Sequence, residues 1–220
     1  MKKIMIWVSC LALAMMLFSC KKDKEAQTTP AVTYPNYSQF KAGSYWIYQR
    51  FVIDTSGNAT PKNIYDSCYV IKDTVINNRT YVKMYRPDPF GTIFPAGVSL
   101  VRDSLHYVVD PAGHILFSSQ DFQTVFDLHY TIAEPNDTIA REVTKMEDKD
   151  VQVVTPAGTF ITSDYRKTFY MYPEWAFAGN PRYIHQRYSM NVGIVAETIP
   201  FFVGQPACTE RRLLRYHIAE

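Results

Sequence analysis

The side chains able to do chemistry in these 220 residues are five histidines, four cysteines and scattered acids. His106, His114, His129, His185 and His217 never fall within four residues of one another. HExxH, CxxC, a glycine-rich phosphate loop and a GxSxG elbow are all absent. His106 and His217 sit in strand-like patterns, where a hydrogen-bonded structural histidine is the plainer reading. The run Glu147-Asp148-Lys149-Asp150 offers oxygens of the kind calcium takes, yet its place between two β-rich runs reads as a solvated hairpin turn. Carboxylate pairs for glycoside hydrolysis are defined by separation in space, not in sequence. A hydrolase with an unidentified carboxylate site therefore stands as the second alternative. The first reading is not an enzyme, with no catalytic residue, metal or cofactor assigned.

One cysteine does carry chemistry. Lys2 and Lys3 precede an apolar run from Ile4 to Phe18, which ends at Leu17-Phe18-Ser19-Cys20. Crossing about 30 Å of hydrocarbon takes roughly 20 apolar residues, so the run is short for a span and suits the core of a secretory signal. The stretch resembles the lipobox of bacterial lipoproteins. That resemblance implies cleavage after Ser19 and a diacylglycerol thioether and N-acyl (palmitate-type) chain on Cys20. Phe18 departs from it, since a smaller residue usually stands there. Several acyl chains anchor durably where a single chain binds only marginally.

Discarding residues 1–19 takes Lys2 and Lys3 with it, so Lys plus Arg falls from 23 to 21, against 21 acids. The balanced mature chain lacks the basic excess expected of a nucleic-acid partner. Residues 20–36 hold Cys20 and a polar, Thr/Pro-containing tether, "KKDKEAQTTPAVTYPN". Fully extended, its 16 residues reach about 50 Å. Cys68 and Cys208 remain in the body. An even count in an oxidising compartment allows a disulfide between them, and two free thiols are the alternative.

What must position any site is a β domain over residues 37–220. "SYWIYQRFVID" (44–54) is rich in aromatic and β-branched residues. "NIYDSCYVIKD" (63–73) alternates, placing Tyr65, Tyr69 and Ile71 on one face and Ile64, Cys68 and Val70 on the other. Asn77-Asn78 predicts a hairpin, because Asn tolerates positive φ. Asp110-Pro111-Ala112-Gly113 and Pro156-Ala157-Gly158 predict two more turns. The best helical window, Asp121 to Tyr130, is too short to lead the fold. Turn signals every 8–12 residues predict an all-β, mostly antiparallel single domain with little helix. The stretch 44–54 is apolar on both faces, which predicts a curved sheet forming an open barrel or sandwich.

Gly43-Ser44-Tyr45-Trp46-Ile47-Tyr48, Asp73 to Tyr81, Val153 to Phe160, Met190 to Val195 and Leu213 to Tyr216 occur in an order that resembles a family of Bacteroidota lipoproteins and secreted proteins of unknown function. The resemblance implies an antiparallel β domain at the cell envelope, lipid-anchored to the outer membrane on its periplasmic face or at the cell surface. It implies no catalytic residues. The aromatic insert Pro173 to Pro181 departs from the pattern. In that lineage O-glycans are attached at Asp-Ser/Thr before a small apolar residue, a triplet that Thr74, Ser104 and Thr138 resemble.

Three loops combine Pro, Gly and large apolar side chains: 85–97, 172–181 and 199–208. Clustered at one end of the sheet, Phe90, Phe94, Trp175, Phe177, Phe201 and Phe202 would form an apolar rim for a hydrophobic or glycan ligand. Folded back, they would plug the core instead. The expectation is a lipid-anchored, non-enzymatic binding module, the alternative an assembly component that binds a partner envelope protein.

Overall fold

The computed structural model describes residues 32–87, 97–133, 137–199 and 208–220. Tyr34 to Glu220 form one compact unit. Its strands are β1 (Tyr45–Ile53), β2 (Ala59–Ile76), β3 (Arg79–Tyr85), β4 (Val98–Ser104), β5 (Tyr107–Val109) and β6 (Ile115–Ser118). The second set is β7 (Asp127–Ala133), β8 (Asp137–Thr155), β9 (Gly158–Met171), β10 (Arg182–Ser189), β11 (Gly193–Ile199) and β12 (Cys208–His217). Among the described residues one six-residue 3-10 turn, Pro173–Ala178, interrupts them. All twelve lie in one antiparallel sheet of order β6-β5-β4-β3-β2-β1-β12-β11-β10-β9-β8-β7. Two six-stranded meanders are thus zipped together along β1 and β12, from Tyr45↔His217 to Ile53↔Cys208.

The connection between the meanders forces the curvature. β6 and β7 are the two outer strands, yet only eight residues join them. Twelve flat strands at about 4.8 Å spacing span roughly 53 Å, whereas eight residues reach about 28 Å at most. The sheet therefore curls until its ends meet. Tyr165 on β9 donates to the Ile115 carbonyl of β6 at 3.0 Å. The Phe117 and Tyr188 rings lie 4.2 Å apart. Among the described residues no ladder joins β6 to β7, so the curl is an open one.

Local sequence explains the bends. Trp46 and Tyr48 point inward, then a bulge at Gln49/Phe51 shifts the alternation so that Phe51 rather than Arg50 is buried. Bulges of this kind bend a strand and sharpen its twist. Asn77 and Asn78, at φ 48° and 58°, make the expected β2–β3 turn. The turn expected at Glu147 to Asp150 is not one. β8 runs through it as a bulge, with Asp148 and Asp150 at positive φ, and the chain reverses at Pro156-Ala157. Residues 121–126 form a loop, and the rest of the short helical window is the start of β7. On β2, Tyr65, Tyr69 and Ile71 face out while Cys68 and Val70 are buried, as the alternation predicts. Ile64, placed with the inward set, is instead 49 % exposed.

The disulfide expectation is corrected. Cys68 and Cys208 are free thiols. Cys68 sits opposite Trp46 and Cys208 opposite Ile53, on the two sides of β1. Seven residues of strand separate them by about 23 Å, far beyond the Cα spacing of about 7 Å that a bridge tolerates.

Candidate functional site

Where the curl closes on itself it leaves a cavity of about 270 Å³. Aromatic and aliphatic residues make up most of its wall. Phe40, Trp46 and Tyr48 come from the β1 side, Val101 and Val108 from β4 and β5, and Tyr188 and Ile194 from β10 and β11. Besides tyrosine hydroxyls and the Cys68 thiol, its polar lining among the described residues is Ser38, Ser99, Gln186 and Arg86, of which Arg86 alone is charged. Two hydrogen bonds hold the aromatic wall against β11. Trp46 Nε1 donates to the Val192 carbonyl at 2.7 Å, and the Tyr48 hydroxyl to the Ile194 carbonyl at 2.8 Å. Gly193, between those two carbonyls, has φ +94°, a conformation costly to side-chain-bearing residues.

Behind the cavity lies a buried charge cluster. The register places Gln186, Glu197 and Arg211 side by side on β10, β11 and β12. Arg211 Nε donates to Glu197 Oε2 at 2.6 Å, and Gln186 Nε2 to Glu197 Oε1 at 2.8 Å. Arg86, entering from the end of β3, reaches the same Oε1 at 2.6 Å. Arg211 is 2 % exposed, and its guanidinium lies 5.4 Å from the Tyr48 ring centroid. Burial works against ionising Glu197, but Arg211 and then Arg86 hold its pKa down to about 2. For Arg86, burial would lower the pKa, and the Glu197 carboxylate outweighs it and raises it. Burial raises both the Tyr188 and the Tyr48 hydroxyls and the Cys68 thiol, so each stays neutral near pH 7. Two guanidinium groups thus face one carboxylate, leaving a surplus positive charge at the cavity wall.

Of the residues read from sequence as ligand contacts, the two that are described, Trp175 and Phe177, fall elsewhere. Trp175 lies in the 3-10 turn, half-buried, with its Nε1 donating to Asp137 Oδ2 at 2.9 Å. It packs beside Ala140, Phe169 and Met171, a satellite of the core, and does not line the cavity. Phe177, in the same turn, is 66 % exposed. Phe90, Phe94, Phe201, Phe202 and Cys20 lie outside the described residues. Thr74, Ser104 and Thr138 are half-buried strand residues opposite Tyr81, Tyr107 and Ile132. His106 bonds Ser118 Oγ at 3.0 Å, and His185 bonds the fully buried Asp164 at 2.7 Å.

Sequence reasoning missed Arg86, Glu197 and Arg211. One signal was present: Glu197 is the lone acid in the apolar stretch "NVGIVAETI" (191–199). A charge on the inward face of such a strand needs a buried partner.

No family model matches the chain, and no curated protein matches it. Solved structures similar to it include a "putative exported protein with YmcC-like fold" from Bacteroides fragilis. That protein is 14 % identical, with TM-score 0.47, covering 84 % of this chain and 100 % of its own. Another is a "putative lipoprotein" from Parabacteroides distasonis, 17 % identical with TM-score 0.42 and the same coverage of both chains.

Proposed function

We propose that this is a lipid-anchored protein of the bacterial cell envelope whose curled sheet binds a small, largely apolar molecule and performs no chemistry on it. The cavity carries this reading. An engineered cavity of about 150 Å³ holds benzene, so 270 Å³ accommodates one or two rings or a medium acyl chain. Charged and amide groups are few in the described lining, as in ligand pockets generally. Its tyrosines and thiol are neutral, and Glu197 behind it is held by two arginines, which favours binding over proton transfer.

The test is native mass spectrometry of protein purified from its own envelope, with Val101→Phe as the control. Val101 is buried and lines the cavity, so a phenyl ring there fills the space. Wild type should carry a small adduct that the filled variant lacks. Bare wild-type protein, or an adduct equally abundant in the variant, defeats the reading.

A second reading, an assembly component, is favoured by the edge strand β7. It pairs on one side only, and Leu128, Tyr130 and Ile132 stand 52 %, 49 % and 63 % exposed along it. Such an edge is a template for strand addition by a partner.

A further inference from the structure

Resting on the binding reading above, we infer that the ligand is a monoanionic amphiphile, a carboxylate attached to a short apolar body, with its head against Arg86. Three observations converge on this. Arg86 is the one charged side chain in the lining among the described residues, and it keeps 28 % of its side chain accessible although it is ion-paired. The cluster behind it holds two guanidinium groups to one carboxylate. Glu197 already accepts from Arg86, Arg211 and Gln186, so its two oxygens are occupied from three sides. The surplus charge has no anion in the cluster to meet it.

Two other described acids lie near this wall, and each has a partner of its own. Asp66 is engaged by Arg50 at 2.7 Å. Asp103 takes both its contacts from Ser38 Oγ, at 2.6 and 2.7 Å. Within the cluster of Arg86, Glu197 and Arg211 one added negative charge balances the second guanidinium, which favours a monoanion over a dianion. Planar guanidinium groups match carboxylates in geometry as well as charge. Elsewhere the lining includes apolar side chains, among them Phe40, Val101, Val108, Leu116 and Ile194. A free anion without a tail would leave that surface unsatisfied, and a neutral tail would leave the charge so.

The experiment uses the full chain carrying Cys20→Ala, so that no acyl group of the protein competes for the cavity. Octanoate, 1-octanol and octylammonium share a tail and differ in head, and isothermal titration calorimetry ranks them. Octanoate should bind about tenfold or more tighter than octanol, the scale of one charge-assisted hydrogen bond, and octylammonium weakest. Arg86→Met should bring octanoate down to octanol while leaving octanol unchanged. Glu197 keeps Arg211 in that variant, so no buried carboxylate is stranded. Arg86→Lys, which retains the charge, should retain the preference, and the wild-type ranking stands as a test even if Arg86→Met does not fold. Equal binding of octanoate and octanol, or a preference that survives Arg86→Met, overturns this inference and leaves the binding reading standing. Failure of all three to bind overturns both.

Discussion

Replacing Glu197 with Gln removes the anion on which the buried cluster is built and leaves Arg86 and Arg211 facing each other. Two routes give the size of the effect. Breaking one partner of a buried ion pair usually costs 3–5 kcal/mol. Independently, a pKa held at about 2 instead of the ordinary 4.5 corresponds to roughly 3 kcal/mol at neutral pH. The agreement matters because an exposed pair such as Lys145–Glu147, 36 % and 26 % exposed, is worth about 0–1 kcal/mol. The sign follows from the depressed folded pKa: the stabilisation is complete above about pH 4.5 and is lost as pH falls through about 2. Urea denaturation at pH 7 should put Glu197→Gln roughly 3 kcal/mol below wild type with an unchanged m-value. At pH 3 the gap should shrink to roughly 1 kcal/mol, because Glu197 of the unfolded wild-type chain is by then largely protonated. A loss under about 1 kcal/mol at pH 7, or a gap that does not narrow at pH 3, would refute the cluster as described.

Cys20→Ala should move the protein from the membrane fraction to the soluble one; a variant that still pellets and resists carbonate extraction rules out the lipid anchor. Trp175→Ala should lower Tm by roughly 4–8 °C, since a half-buried indole contributes about 2 kcal/mol and each kcal/mol is about 2–4 °C in a domain of this size. Octanoate affinity should not change with it, and a loss of binding at constant Tm would restore Trp175 as a contact. Thiol titration of unreduced, denatured protein lacking residues 1–20 should count both Cys68 and Cys208, where a bridge would give none. In the native state Cys208, half-buried, should react well before Cys68, which is 3 % exposed with its pKa raised by burial.

The strands were legible because their signals are local. Asn77-Asn78 and Pro156-Ala157-Gly158 carry turn chemistry in adjacent residues, and β2 alternates visibly. Two failures share one cause. Asp148 and Asp150 adopt positive φ as turn residues do, and only the partner strand decides that the chain bulges there and continues. Trp175 reads as a loop aromatic because the satellite core it joins comes from β8 and β9, not from its neighbours. The cavity was illegible for a larger reason. Its wall forms only when β4, β5 and β6 fold over β9 and β10, a closure set by the length of one connection rather than by any motif. Likewise Glu197 meets Arg86 only across that closure.

Stability alone does not explain why two arginines and a glutamate occupy the interior. Apolar side chains of equal volume in place of a buried ion cluster often leave a protein as stable or 1–4 kcal/mol more stable. The pairing of Glu197 with Arg211 has a structural use, since it fixes β11 against β12 on a single rung. Arg86 adds nothing to that register. It arrives from the far side of the curl, brings a second guanidinium to the one carboxylate, and lines the cavity with a partly accessible side chain. The register is served by Arg211 alone, and Arg86, besides helping to hold Glu197 ionised, is the arginine that the proposed ligand would meet.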